Sequence, residues 1–292
     1  MMRFGAFAIL VVLAIGAPVQ AQTQQFIYQL GSAIHLYDTA SHQDKILLDD
    51  QHMNMYPALS PDLETVVFTS NRSGPFDLYL LVINTGAITQ ITSTVEEDIY
   101  PSWSPDGTKI AYAARGESST RIVIYELSSG TSTDLISDSY RNFGPVWAPD
   151  GDQLAYTSNR KTGRPLFLAD ANTGSSKLVS NEADIVLFPR WSPNGEKIAY
   201  RSGQDGQIYV LDIDTLEQTQ ITDEPETGNH AWQSNELILY QASLDSAFII
   251  DINGKNRKAV QIQLPDGEFE LALPMGLYRD ARNMNNNEHV DD

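Results

Sequence analysis

Apolar residues along this chain come in short runs and not at helical spacing. From residue 26 onward, runs such as Lys109-Ile110-Ala111-Tyr112-Ala113 and Arg121-Ile122-Val123-Ile124-Tyr125-Glu126-Leu127 are separated by polar breaks such as Arg115-Gly116-Glu117-Ser118-Ser119. No window of useful length places apolar residues three and four apart. The runs are rich in β-branched and aromatic residues and the breaks in Gly, Ser, Asp and Pro, which is the pattern of strands joined by turns. Some runs are apolar almost without interruption, as in Leu78-Tyr79-Leu80-Leu81-Val82-Ile83 and Phe248-Ile249-Ile250. A sheet with one wet face would alternate, so both faces of these strands are expected to be covered. The chain reads as all-β.

One phrase recurs four times: Tyr56-Pro57-Ala58-Leu59-Ser60-Pro61-Asp62, Tyr100-Pro101-Ser102-Trp103-Ser104-Pro105-Asp106-Gly107, Phe143-Gly144-Pro145-Val146-Trp147-Ala148-Pro149-Asp150-Gly151 and Phe188-Pro189-Arg190-Trp191-Ser192-Pro193-Asn194-Gly195. Its second proline falls at 61, 105, 149 and 193, a step of 44 residues. Each copy opens a unit of four short strands, with the Pro-Asp-Gly turn reversing the chain after the first. Sheets covered on both faces, repeated at this length, stack radially as the blades of a β-propeller. The aromatic of the second strand counts them. Phe68, Tyr112, Tyr156 and Tyr200 are 44 apart, with Tyr28 and Tyr240 each 40 beyond the ends of the series. The expectation is a six-bladed propeller of four-stranded antiparallel blades over residues 22–278. The first blade lacks an innermost strand, and Phe269-Glu270-Leu271-Ala272-Leu273 is expected to supply it, joining the chain's ends and leaving no long unpaired edge. Residues 279–292 read as a disordered polar tail.

At the N-terminus, Arg3, the uniformly apolar Phe7 to Ile15 and the small-residue site Val19-Gln20-Ala21 predict a signal peptide over residues 1–21, its apolar core too short to span a bilayer. The expected location is the periplasm, with no membrane insertion. The sequence holds no cysteine, so neither a lipid-attachment cysteine nor a disulfide framework is expected. The formal charge is −19, from 19 Lys and Arg against 38 Asp and Glu, which argues against nucleic acid or an anionic membrane as partner. A monomer without cofactor or metal is expected.

The phrase around Tyr100 to Tyr112, together with Ser70-Asn71-Arg72 and Ser158-Asn159-Arg160 after second strands and Asp77-Leu78-Tyr79 and Gln207-Ile208-Tyr209 in third strands, closely resembles the PD40 repeats of the TolB-like six-bladed propellers. The resemblance covers residues 53 to 213 well and the flanking blades weakly. It implies an exported bacterial envelope propeller that acts through protein contacts. The propeller motifs begin within a few residues of the expected cleavage site, so the α/β domain that precedes the propeller in Tol-Pal members of the family is not expected here.

Loops before first strands carry acids in every blade, among them Asp98, Asp184 and Glu226, whereas loops between second and third strands carry Arg72, Arg115, Arg160 and Arg201. Opposite charges therefore meet on one rim. They form either a ring of inter-blade ion pairs or an electronegative mouth that captures a basic segment or a cation. Just inside this rim, Tyr56, Tyr100, Phe143, Phe188 and His230 begin the innermost strands; pointing inward they make an aromatic collar, pointing sideways they pack between blades. Trp103, Trp147, Trp191 and Trp232 read as blade packing.

Searches for catalytic constellations find no nucleophile elbow, phosphate loop or dinucleotide fingerprint, and cysteine chemistry is impossible. The histidines show no metal spacing. The functional expectation is a non-catalytic propeller binding an envelope protein or peptide at its acidic loop face, through candidates Tyr56, Tyr100, Phe143, Phe188, His230, Asp98, Asp184, Glu226, Arg72 and Arg160. The alternative is a carbohydrate-active or hydrolytic enzyme in which two of Asp98, Asp184 and Glu226 work with His230 in acid-base chemistry.

Overall fold

The computed structural model describes residues 11–12, 25–38, 41, 43–224, 227–243 and 246–260. These form six four-stranded sheets in which every neighbouring pair of strands is antiparallel. Blade 1 holds β1 (Val11–Val12), β2 (Gln25–Leu30), β3 (Ala33–Asp38) and β4 (Gln43–Leu48). Blade 2 holds β5 (Asn54–Leu59), β6 (Thr65–Ser70), β7 (Asp77–Val82) and β8 (Ile88–Gln90), and blade 3 holds β9 (Glu97–Trp103), β10 (Lys109–Arg115), β11 (Thr120–Glu126) and β12 (Thr131–Ile136). Blade 4 runs from β13 (Asn142–Trp147) through β14 (Gln153–Ser158) and β15 (Leu166–Asp170) to β16 (Ser176–Leu178). Blade 5 runs from β17 (Val186–Trp191) through β18 (Lys197–Ser202) and β19 (Ile208–Asp212) to β20 (Gln218–Gln220). Blade 6 comprises β21 (His230–Trp232), β22 (Leu237–Ser243), β23 (Ser246–Asp251) and β24 (Lys258–Val260). The innermost strands neighbour one another in sequence around a central channel.

In blade 1 the innermost seat is taken by Val11–Val12, which pair with Ile27 and Phe26 and lie beside β21 of blade 6. The stretch Phe269 to Leu273, expected in this place, lies outside the described residues. So do residues 279–292 and, apart from Val11 and Val12, the predicted signal peptide.

The uninterrupted apolar runs are explained by where the cores sit, which is between blades. Ile27 and Ile34 of blade 1 pack with Val66, Phe68 and Leu81 of blade 2. Val67 and Leu78 of blade 2 pack with Ile110, Tyr112 and Val123 of blade 3. The same sharing continues to blade 6, where Tyr240 and Ile250 meet Ala199 and Val210 of blade 5. Each of the sheets of blades 2 to 5 is thus the filling between two others, and successive strand residues are buried whichever way they point.

The six aromatics used to count blades are all buried in second strands. Five of them face an aromatic or imidazole directly across on the third strand, as in Phe68 opposite Tyr79 and Tyr156 opposite Phe167, with ring centroids 5.8 and 5.6 Å apart. Such cross-strand pairs stabilise a sheet beyond the area they bury. Blade 3 is the exception, with Val123 opposite Tyr112.

The repeated phrase connects neighbouring blades in two ways. Its tryptophan reaches back to the preceding blade: Trp103 Nε1 donates to the Ala58 carbonyl at 3.0 Å, Trp191 Nε1 to that of Val146 at 3.2 Å and Trp232 Nε1 to that of Arg190 at 2.9 Å. Its Pro-Asp-Gly turn does the same by packing. Gly107, Gly151 and Gly195 adopt left-handed backbone with φ of 70°, 80° and 74°, and a Cβ at each would meet the rings of Pro61, Pro105 and Pro149 of the blade before at 3.7, 3.8 and 3.6 Å.

Candidate functional site

The channel is built from the innermost strands, and a bulge aims their side chains. Each of β5, β13 and β17 slips register against its second strand between Met55 and Ala58, Phe143 and Val146, and Leu187 and Arg190. The slip centres on the residue before the first proline. Tyr56, Tyr100, Gly144 and Phe188 hold this position with φ of 53°, 56°, 52° and 53°. Left-handed backbone costs a non-glycine residue roughly 1 kcal/mol, and such strain concentrates where a side chain has to be re-aimed. The glycine in blade 4 shows that the backbone shape, and not the aromatic, is common to all four.

The equivalence of the collar residues is therefore different from the one expected. Phe143 precedes the bulge position by one, and Gly144 is the counterpart of Tyr100. In blade 6, Trp232 pairs with Ile238 as Trp191 pairs with Ile198, so His230 matches Pro189 and Asn229 matches Phe188. The sequence comparison lined up ring-shaped side chains, whereas the register follows the tryptophan and the proline bulge.

Twenty-nine residues enclose a channel of about 790 Å³. Tyr56, Tyr100, Phe143 and Phe188 line it, as do Pro57, Pro101, Pro145 and Pro189 and all four tryptophans. The collar side chains point inward and sideways at once: each is half-buried at the channel, and the Tyr56 and Tyr100 rings lie 4.3 Å apart across the blade junction. Burial, reinforced by Tyr56, pushes the Tyr100 phenol well above the usual tyrosine range. His230 is not in the lining; it is buried beside Tyr240 and Gln241. Burial, and then the nearby Arg190 and Arg201 charges, lower its imidazole to about 3, so it is neutral at physiological pH.

No aspartate or glutamate lines the channel among the described residues. Its charged lining residues are Arg164, whose guanidinium lies over the Phe143 ring at 5.0 Å, and Arg190. Arg190 occupies a ring position at which the other blades place Ala58, Ser102, Val146 and Ala231. The sequence signal for it is the series Ala58, Ser102, Val146, Arg190, Ala231, in which one long cation interrupts small side chains.

The rim charges behave differently. Arg72 pairs with Asp50 at 3.2 Å and donates to Asn54 Oδ1 at 3.0 Å, with its guanidinium 5.2 and 4.9 Å from the Phe68 and Tyr79 rings. Arg160 repeats this arrangement two blades on, pairing with Asp138 at 2.9 Å over Tyr156 and Phe167. Arg115 pairs with Glu97, Arg121 with Glu96 and Asp134, Lys161 with Glu182 and Arg257 with Glu224. Asp184 accepts from the Asn181 backbone at 2.9 Å and from Gln218 Nε2 at 3.1 Å. Glu226 lies outside the described residues.

Asp98 is fully buried at the junction of blades 2 and 3, away from the channel lining. It stands where Asn54 and Asn142 stand in blades 2 and 4. Those two amides donate to the Ser32 and Thr120 carbonyls of the preceding blade at 3.1 and 2.9 Å. Asp98 Oδ1 has no hydrogen-bond partner among the described residues. Burial, with Asp77 and Glu96 adding repulsion against the Thr92 and Thr94 hydroxyls, raises its carboxyl to about 7. Asp98, Asp184 and His230 are thus set in separate surroundings, and no cluster of three or more metal-ligating side chains occurs among the described residues. No helix among the described residues is long and apolar enough to cross a membrane.

Comparison with solved structures returns propellers. TolB from Acinetobacter baumannii superimposes with a TM-score of 0.68 at 22% identity over 84% of this chain and 61% of that one. This chain therefore spans less than two thirds of the length of that TolB. Oligogalacturonate lyase from Vibrio parahaemolyticus gives 0.62 at 14% identity, covering 85% and 78%, and a chain of the nidogen/laminin complex gives 0.67 at 10% identity, covering 91% and 96%. At these identities the likeness is one of fold. Among curated proteins, none matches the sequence. The family model described as PD40, TolB beta propeller domain, matches residues 25–142 and 133–244; with most of the chain so matched and six four-stranded blades formed, the chain belongs to the TolB beta propeller family.

Proposed function

We propose that this protein is an envelope binding module that receives an extended segment of a partner protein in its central channel. The observation that carries the reading is the channel wall. Tyr56, Tyr100, Phe143 and Phe188 offer ring faces, and Pro57, Pro101, Pro145 and Pro189 remove backbone donors from the same strands. A wall of aromatic faces and prolines suits an extended, hydrogen-bond-poor peptide, as aromatic-lined grooves elsewhere suit polyproline-type segments. The envelope location rests on the N-terminal export pattern and on the family. The acidic face expected from the sequence is the weaker candidate, because most of its described carboxylates already have an arginine, a lysine or a backbone donor.

The enzyme alternative draws its support from the fold likeness to oligogalacturonate lyase. Among the described residues the channel offers no carboxylate for acid-base chemistry, so the binding reading is the one the wall favours.

The test is a photo-crosslinker at Tyr56 or Phe188 in living cells, compared with one on the outer strand at Ser132. A partner captured from the channel positions, absent from the outer position and lost when Ala58→Trp fills the channel supports the reading. Equal capture with and without the plug would overturn it.

A further inference from the structure

Arg190 is out of place by every local measure. Its ring position is filled by alanine, serine or valine in four other blades, all lining the channel. Its Nη1 donates to the Pro189 carbonyl at 3.1 Å; none of the ion pairs among the described residues includes it. The side chain is half-buried and lines the channel. Burial alone lowers its guanidinium to about 10, with no carboxylate to offset it, so it is charged at physiological pH. No counterion is on hand: the nearby His230 is neutral, and Arg164, the other charged residue of the lining, is a cation. A desolvated cation without an anion is costly to hold in an apolar wall. Proteins keep such groups where a ligand completes them.

We propose that Arg190 is the specificity determinant of the channel and takes a single carboxylate carried by the partner segment. The inference rests on the channel reading above and deepens it. A planar guanidinium with most of its five donors uncommitted matches a carboxylate bidentately. The surrounding prolines leave few competing donors on the same strands. The protein's overall charge of −19 disfavours polyanions, so the fitting occupant is an apolar peptide with one isolated acidic group and not an acidic oligosaccharide. The local field inside the ring thus opposes the global one, which separates a lone carboxylate in an apolar context from the bulk of acidic solutes.

The experiment uses the full chain, immobilised after export, and three pools of blocked pentapeptides randomised around a central Asp, Asn or Lys, with retained members counted by mass spectrometry. Matched pools with a free C-terminal carboxylate or a C-terminal amide tell a chain end from a side chain, and oligogalacturonate serves as competitor. The expected result is retention of Asp over Asn members by about tenfold or more, the worth of one desolvated charge-assisted pair. Arg190→Met should bring the two pools level, and Arg190→Lys should keep a reduced preference. An Asp preference that survives Arg190→Met, preferred Asn or Lys members, or displacement by oligogalacturonate at lower concentration than by peptide overturns the inference. The plug distinguishes the two levels. If Ala58→Trp abolishes retention while Arg190→Met changes nothing, the carboxylate assignment alone fails; if retention persists in Ala58→Trp, the channel reading fails and takes the assignment with it.

Discussion

The rim and the channel of this propeller use arginine in opposite ways. At the rim, Arg72 and Arg160 lie on cross-strand aromatic pairs and are met by Asp50, Asp138 and two asparagines, so each guanidinium finishes a structural joint. In the channel, Arg190 stands among small side chains and prolines with one backbone acceptor. Charge that is abundant on the outside has been absorbed into architecture, while the scarce charge inside is left available. Net charge, the first thing a composition shows, therefore does not reveal the sign of the charge that lines the channel.

The sharpest test of that contrast concerns Asp98, a rim acid that is fully buried. Asp98 titrates near 7 in the folded protein against an ordinary value of 3.8. A carboxyl with a raised folded value favours the folded state when protonated, so its contribution is complete below about pH 4 and declines as pH rises toward 7. Chemical denaturation between pH 4 and 8 should show stability falling over that window by a few kcal/mol, and Asp98→Asn, which restores the amide found in blades 2 and 4, should flatten the profile. A variant with the same pH dependence as the parent would remove Asp98 from the account.

Next in size, Arg160→Met should cost about 2 kcal/mol in a urea melt. It strips partners from Asp138, Asn142 and the Tyr156 hydroxyl along with the stacking on two rings. Arg190→Met should move the other way, leaving stability unchanged or raising it by up to about 1 kcal/mol, because it removes an unpaired desolvated charge. A substantial loss on Arg190→Met would mean that this residue, too, is a structural joint. A small effect of opposite sign is expected at Gly144, where a Cβ would meet nothing within 4 Å but φ is 52°. Gly144→Ala should therefore cost only the backbone term, about 1 kcal/mol by thermal melt, with channel binding retained.

Blade number, strand order and the buried faces were legible in the chain because each depends on periodicity, and duplication has preserved the period from Phe68 to Tyr200. Finer register was not legible. Phe143 and His230 resemble the collar residues chemically, but the bulge is marked by a backbone dihedral that Gly144 satisfies as well as Tyr56, Tyr100 and Phe188. The Arg72 and Arg160 joints escaped for a related reason. The offset of four residues from Phe68 and Tyr156 is visible, yet that a third-strand ring lies under the same guanidinium becomes evident only when Tyr79 and Phe167 are placed opposite. Arg190 was visible as an odd residue in an otherwise small series, but nothing in a linear alignment says that this series lines a cavity.

The indole hooks have a direction. In the three formed by Trp103, Trp191 and Trp232, the donor belongs to the later blade and the acceptor carbonyl to the earlier one; Trp147 Nε1 has no such partner among the described residues. A polypeptide that leaves the ribosome or an export pore amino end first has each latch plate in place before the matching bolt arrives. Ring assembly can then advance one wedge at a time, each new blade closing the open face of the one before it.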